Sequence, residues 1–201
     1  MRRTKEEAEG TRKKLLKTGL KVFREKSYAA TRLSDIAKAA GVTRGAIYHH
    51  FGSKSEMFKA IAIEHRDMFT KLFEDLNRNE NDNPVDALKK MVSSIFEKLD
   101  NDKYFRYFME IMAKTDMKKE IPEIAEIFGN NKFEGHNNLV TMIERGKEKG
   151  LIRKDLDTSL FAFFIISSLF GIMTVWLDKK NNIKIKDESE KLVGFIFSAV
   201  R

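Results

Sequence analysis

The stretch Thr31-Arg32-Leu33-Ser34-Asp35-Ile36-Ala37-Lys38-Ala39-Ala40-Gly41-Val42-Thr43-Arg44-Gly45-Ala46-Ile47-Tyr48-His49-His50-Phe51-Gly52-Ser53-Lys54 holds two short helices and the turn between them in its own local chemistry. A brief helix is expected from about Arg32 to Ala40, with Thr31 as its N-cap. Gly41 ends it, because a left-handed residue just past a helix costs glycine nothing sterically. Val42 supplies an apolar contact in the turn, and Thr43 is placed to cap a second helix of about two turns, Arg44 to His50. Two short helices joined by a tight glycine turn make a helix-turn-helix.

Spacing separates the faces of the second helix. Ile47 and Phe51, four apart, point inward with Val42, Ile36 and Ala37, while Arg44, Gly45, Tyr48 and His49 share the outer side. A helix entering a DNA major groove N-terminus first would bring Thr43, Arg44, Gly45 and Ala46 nearest the base edges. Gly45 and Ala46 are small enough for close approach, and Arg44 has the fork that pairs with guanine. Tyr48, His49, His50 and Lys54 lie further along and suit phosphates. So does the start of the preceding helix at Thr31, Arg32 and Ser34, where free amides face an anion.

Charge is distributed to match. The chain has 201 residues and a net charge of +8, yet residues 1–60 hold 15 Lys and Arg against 6 Asp and Glu, a net +9. The remainder holds 23 against 24, a net −1. A polyanion-binding head on a neutral body has this footprint, although charge alone equally allows binding to anionic lipid or simple solubility. Upstream, Leu15, Leu16, Gly19, Leu20, Val22 and Phe23 recur at helical spacing, predicting an amphipathic helix from Thr11 to Lys26.

These residues together, from about 11 to 60, resemble the DNA-binding signature of the tetracycline-repressor (TetR) family. The resemblance rests on the ordered run from Thr31 to Lys54, with Tyr48, His50, Phe51 and Lys54 in place. Many members carry threonine or serine where Arg32 stands, and serine where Thr43 stands. The second difference keeps a hydroxyl, and Arg32 adds a phosphate-binding group. The resemblance implies an all-α protein, with a helix-turn-helix head at residues 1–53 and a larger helical body at 54–201. It further implies a homodimeric repressor on a palindromic operator, released by a small, largely apolar effector.

In the body a long helix is expected from Ser53 or Lys54 to about Leu76, then a polar loop closed by Pro84, which favours a helix's first position. Further helices are expected at Val85–Leu99, Tyr104–Thr115, about Ile121–Phe128, and Phe133–Lys149 before Gly150. Thr158 to Leu177 is twenty residues without a charge, long enough to span a membrane. Ser159, Ser167, Ser168 and Thr174 inside it, and basic residues on both flanks, argue instead for a helix packed on its own body and on a partner subunit. A last helix from near Asp187 carries an apolar stripe, so two such helices per chain suit a four-helix dimer contact. Its candidate residues are Phe163, Ser167, Phe170, Gly171, Thr174, Leu192, Phe195, Ile196 and Ala199. The family prior adds an effector cavity among Phe96, Phe105, Phe108, Met109, Met112, Phe133 and Met142. Their spacing alone reads as core.

Composition narrows the chemistry. The absence of cysteine excludes disulfides, thiolate metal sites and cysteine nucleophiles, and it suits a reducing compartment. Met1 to Gly10 is charged and lacks the apolar run of a signal peptide, so a cytoplasmic location is expected. The four histidines are scattered, and no phosphate loop, zinc pattern or nucleophile elbow occurs, so neither metal, cofactor nor enzymatic activity is expected. The alternatives are a membrane-associated interaction protein anchored by residues 158–177, a helical ligand-binding or enzymatic domain with an incidental basic head, and a DNA-binding activator of the same family.

Overall fold

The computed structural model describes residues 5–77, 83–122, 124, 127, 134–178 and 185–198. Among the described residues there is no β-strand. The helices are α1 (Lys5–Lys26), α2 (Leu33–Ala40), α3 (Arg44–Phe51), α4 (Lys54–Asn77), α5 (Pro84–Asn101), α6 (Lys103–Lys114), α7 (Met117–Glu120), α8 (Glu134–Glu148), α9 (Thr158–Leu177) and α10 (Ile185–Phe197). The chain divides into two compact units, Met1–Arg66 with Tyr104–Gly129, and Asp67–Lys103 with Asn130–Arg201.

In the first unit, α1 packs on α2 and α2 on α3. Leu15, Leu16, Leu20 and Phe23 of α1, Leu33, Ile36 and Ala37 of α2, and Ile47 and Phe51 of α3 are buried. Met57, Phe58 and Ile61 of α4 are buried in the same unit. Each large apolar side chain so removed from water contributes about 1.5–3 kcal/mol. Gly19 lets α1 and α4 approach closely, since a Cβ there would stand 2.5 Å from Met57 Cε. Phe23, Tyr28 and Phe58 close the cluster, with ring centroids 5.4–5.5 Å apart.

Two expectations for this unit are corrected. Helix α1 begins at Lys5 rather than near Thr11. Its first turns have no apolar stripe to show in sequence; they are supported by Glu6 and Glu7, whose charges suit a helix N-terminus. Thr31 is not the N-cap of α2, because Arg32 holds that position. The Asp35 carboxylate accepts from the Arg32 backbone N–H at 3.0 Å, and the Thr31 hydroxyl donates instead to the Ser27 carbonyl at 2.6 Å.

In the second unit α5 packs on α8 and α10, and α9 packs on α8 and α10. Asn83 caps α5 by accepting from Val85 N–H at 2.9 Å, with Pro84 in the first helical position as expected. The Asp157 carboxylate caps α9 by accepting from Leu160 N–H at 2.9 Å. The start of α9 is also tied to α8: Thr158 donates its hydroxyl hydrogen to Glu144, and Lys147 Nζ donates to the Leu156 carbonyl at 2.8 Å. Gly150 ends the α8 segment at φ +68°, the left-handed region that glycine enters freely. Helix α10 begins at Ile185, slightly before the expected Asp187. Helix α7 is an addition to the expected elements, and half of the residues of the helix expected at Ile121–Phe128 lie outside the described residues.

Candidate nucleic-acid interface

The turn between α2 and α3 is built as its sequence predicts. Gly41 sits at φ +70°; its N–H donates to the Lys38 carbonyl at 3.2 Å, and the Val42 N–H to the Ala37 carbonyl at 3.0 Å. These bonds satisfy carbonyls that the end of α2 would otherwise leave open. The Thr43 hydroxyl accepts from Ala46 N–H at 3.2 Å and so starts α3. Ile47 is fully buried and Phe51 nearly so, which fixes the rotation of α3 about its axis. Thr43, Arg44, Gly45, Tyr48 and His49 are consequently exposed, and Ala46 and His50 half-buried. Tyr48 is 45% exposed, a large aromatic left at the surface beside two imidazoles. A Cβ at Gly45 would meet only Thr43 Oγ1, at 3.9 Å, so this end of the helix is open to close approach.

On α2 the proposed phosphate-binding residues divide. Arg32 is exposed and Ser34 half-buried at the helix start. Thr31 is 2% exposed with its hydroxyl engaged by Ser27, so its side chain presents no surface and leaves the contact set. Asp35 beside them is held below the ordinary aspartate range, first by the Arg32 backbone N–H and then by Lys26, whose Nζ lies 3.1 Å away.

Lys54 has a second occupation. Its ammonium donates to the carbonyls of Tyr28 at 2.8 Å and Ala29 at 3.2 Å, and lies 4.3 Å from the centroid of the Tyr28 ring. Burial pushes its pKa down. Lys54 thus fastens the start of α4 to the turn between α1 and α2, which its sequence position among DNA-facing residues does not reveal. Arg12 makes a related bridge, 5.6 Å over the Phe51 ring and 3.8 Å from Glu64. The Glu64 carboxyl is pushed up by burial, with Arg12 opposing.

The residues expected at an effector cavity fall into both units. In the first, Phe105, Phe108 and Met109 are buried and Met112 is half-buried; His65 stacks on Phe108 with centroids 4.0 Å apart. In the second, Phe96 and Met142 are fully buried. Phe133 lies outside the described residues.

Helix α9 is long and apolar enough to cross a membrane, yet only 28% of its most apolar stretch is buried. Phe161, Ala162, Ile165, Leu169 and Met173 face the core. On the opposite side Ser167, Gly171 and Thr174 form an exposed row of small residues, flanked by Phe163 at 60% and Phe170 at 45% exposure. Leu160, Phe164 and Val175 are exposed too, and the sequence did not single them out. On α10 Phe195 is 73% exposed and Leu192 half-buried, but Ile196 is 3% exposed. Ile196 belongs to the chain's own core, one helical step round from Phe195, and leaves the contact set. Ala199 lies outside the described residues.

Comparison with known proteins agrees along the chain. Residues 15–61 match bacterial regulatory proteins of the tetR family, and residues 83–200 match the C-terminal region of MAATS-type transcriptional repressors. TtgR of Pseudomonas putida, an HTH-type transcriptional regulator, is 27% identical over 194 residues, covering 96% of this chain and 92% of that protein. AcrR of Shigella flexneri, of the same description, is 28% identical over 97% of this chain and 91% of its own length. The structure of SmeT in complex with triclosan superposes with a TM-score of 0.84 at 25% identity, covering 96% of this chain and 92% of that one. The second match places α9 inside a repressor's C-terminal region, against the membrane-anchor alternative.

Proposed function

The chain belongs to the TetR family of bacterial regulatory proteins, and from that premise we propose that it is a homodimeric repressor released from a palindromic operator by a small, largely apolar effector. It is a DNA-binding transcription regulator and, like its family, no enzyme. The observation that carries the proposal is the outer face of α3. Arg44, Tyr48 and His49 are exposed together opposite the buried Ile47 and Phe51, and Arg32 is exposed at the start of α2. In this reading Thr43, Arg44, Gly45 and Ala46 meet base edges, while Arg32, Ser34, Tyr48, His49, His50 and Lys54 meet phosphates. Residues 1–53 act as the head and 54–201 as the effector-binding and dimerisation body, working in the cytoplasm.

Paired heads need half-sites whose centres stand about 34–36 Å apart. The exposed side of α9, with Phe195 of α10, supplies the subunit contact. SmeT, described as the repressor of the Stenotrophomonas maltophilia multidrug efflux pump SmeDEF and solved with triclosan, suggests the effector class: a compact aromatic molecule. Such a ligand acts by binding the two states of the repressor unequally.

Selection of duplexes from a randomised library tests this directly. An inverted repeat should emerge, bound as a dimer, with affinity that falls steeply as salt rises. Shallow salt dependence, or no preferred repeat, would count against the operator reading. Triclosan is the first effector probe and should weaken binding to the selected repeat. Native mass spectrometry of the purified protein reports the dimer mass and any effector carried with it.

A further inference from the structure

Arg24 lies in the basic head, yet its charge is paired within the chain. Its Nε donates to Glu110 Oε2 on α6 at 2.5 Å, and its guanidinium carbon stands 4.5 Å from the centroid of the Tyr107 ring. The Arg24 side chain is 27% exposed and that of Glu110 only 13%. Seven residues earlier on the same face of α1, Lys17 Nζ lies 5.1 Å over the ring of Tyr104, also on α6. Two cations of α1 are therefore spent on one face of α6, formed by Tyr104, Tyr107 and Glu110. All five residues belong to the first compact unit.

What Arg24 holds is the approach to α2. Three residues later Ser27 ends α1 at φ +71°, a left-handed conformation that a side chain disfavours and that the surrounding bonds must maintain. The Ser27 carbonyl accepts from the Thr31 hydroxyl, the Tyr28 carbonyl accepts from Thr31 N–H at 3.2 Å, and Lys26 pairs with Asp35. Asp35 in turn accepts from Arg32 N–H. Short bonds thus run to the start of α2 from Lys26 and Ser27, which follow Arg24 by two and three residues along the chain.

We infer that Glu110 is a positioning residue for DNA binding: through Arg24 it holds the start of α2 in register with the phosphate it meets, although it lies on α6, outside the helix-turn-helix. The inference rests on the placement of Arg32 at phosphate proposed above.

The test compares variants of the full chain on the duplex that the wild type selects and on a random duplex, across a salt series. Glu110→Ala should lower affinity for the selected repeat about tenfold, as expected when one of two coupled charged residues is removed. Affinity for random duplex should fall as well, and the salt slope should become shallower by up to about 0.9, because the Arg32 phosphate contact is what loses its register. Glu110→Asp should recover part of the loss. The exchange Arg24→Glu with Glu110→Arg should recover more than either single change. Should Glu110→Ala fail to fold, Glu110→Gln is judged by the same criteria. Wild-type affinity for the selected repeat in these Glu110 variants overturns the inference. So does an Arg24→Met variant whose salt slope falls by about 0.9, the value for one phosphate contact, while Glu110 variants bind normally. If the wild type selects no repeat, the operator reading fails and takes the inference with it; a selected repeat bound equally by the variants removes the inference alone.

Discussion

Helices α3 and α9 both leave aromatic side chains in water, and they do so on opposite terms. Helix α3 is eight residues long and shows Arg44, Tyr48 and His49 around a single buried stripe. Helix α9 is twenty residues long, carries no charge, and shows Phe163, Phe164 and Phe170. A surface that mixes cation, hydroxyl and imidazole suits a hydrated polyanion, where contacts are polar and water is retained. A surface of phenyl rings around small residues suits a dry partner of its own kind, with packing as the main attraction. The lesson is that exposure alone does not identify an interface; the chemistry exposed does.

The largest expected effect attacks the apolar side. Phe163→Glu with Phe170→Glu should weaken self-association on the order of a thousandfold or more, since each buried Phe contributes about 1.5–3 kcal/mol and each change counts in both subunits. Sedimentation equilibrium would show monomers, and operator binding would fall with the dimer. A variant that stays dimeric would remove α9 as the contact.

Next come changes on α3. Arg44→Ala should cost about 1–3 kcal/mol of discrimination at particular base pairs. Tyr48→Ala should weaken binding to every sequence alike. Competition assays with single-base variants of the selected repeat separate the two patterns, and equal losses everywhere for both would sink base readout by Arg44. Thr43→Ala removes the cap of α3 and should cost about 1 kcal/mol of stability, seen in denaturant titration as a lower midpoint with an unchanged slope. The smallest effect concerns Asp35. Its folded pKa lies below its unfolded one, so its stabilisation is present above the unfolded value and is lost as pH falls through the folded value. Melting curves from about pH 6 down to about pH 3 should show wild type losing a stability increment that Asp35→Asn never had. Parallel curves for the two would show that Asp35 contributes nothing.

Sequence and structure agree where bonds are short in range. Gly41 and Thr43 act within four residues of themselves, and Ile47 and Phe51 share a face by their spacing of four, so the α2–α3 turn and the rotation of α3 are legible from spacing. The start of α1 is not, because Glu6 to Gly10 is solvent-facing and carries no apolar period. The stripe on α10 was ambiguous for a geometric reason: Leu192, Val193, Phe195 and Ile196 cover much of the helix circumference, and only packing decides that Ile196 turns inward and Phe195 outward. The contacts of Lys54 and Arg24 within the chain are not legible in sequence for a third reason. A cation in a basic head reads first as a phosphate contact, while the partners these two have within the chain, the Tyr28 carbonyl and Glu110, are 26 and 86 residues away.

The exposed rings of α9 also bear on the life of the chain before it finds its partner. A newly made monomer carries a sticky flank comparable to a partly folded intermediate, open to mispairing until it is covered. With α9 as the proposed subunit contact, folding and pairing are linked by mass action, so the melting temperature should rise with protein concentration and have no single value. In a cell that makes few copies, the supply of functional repressor is set by how often two chains meet as well as by how well each one folds.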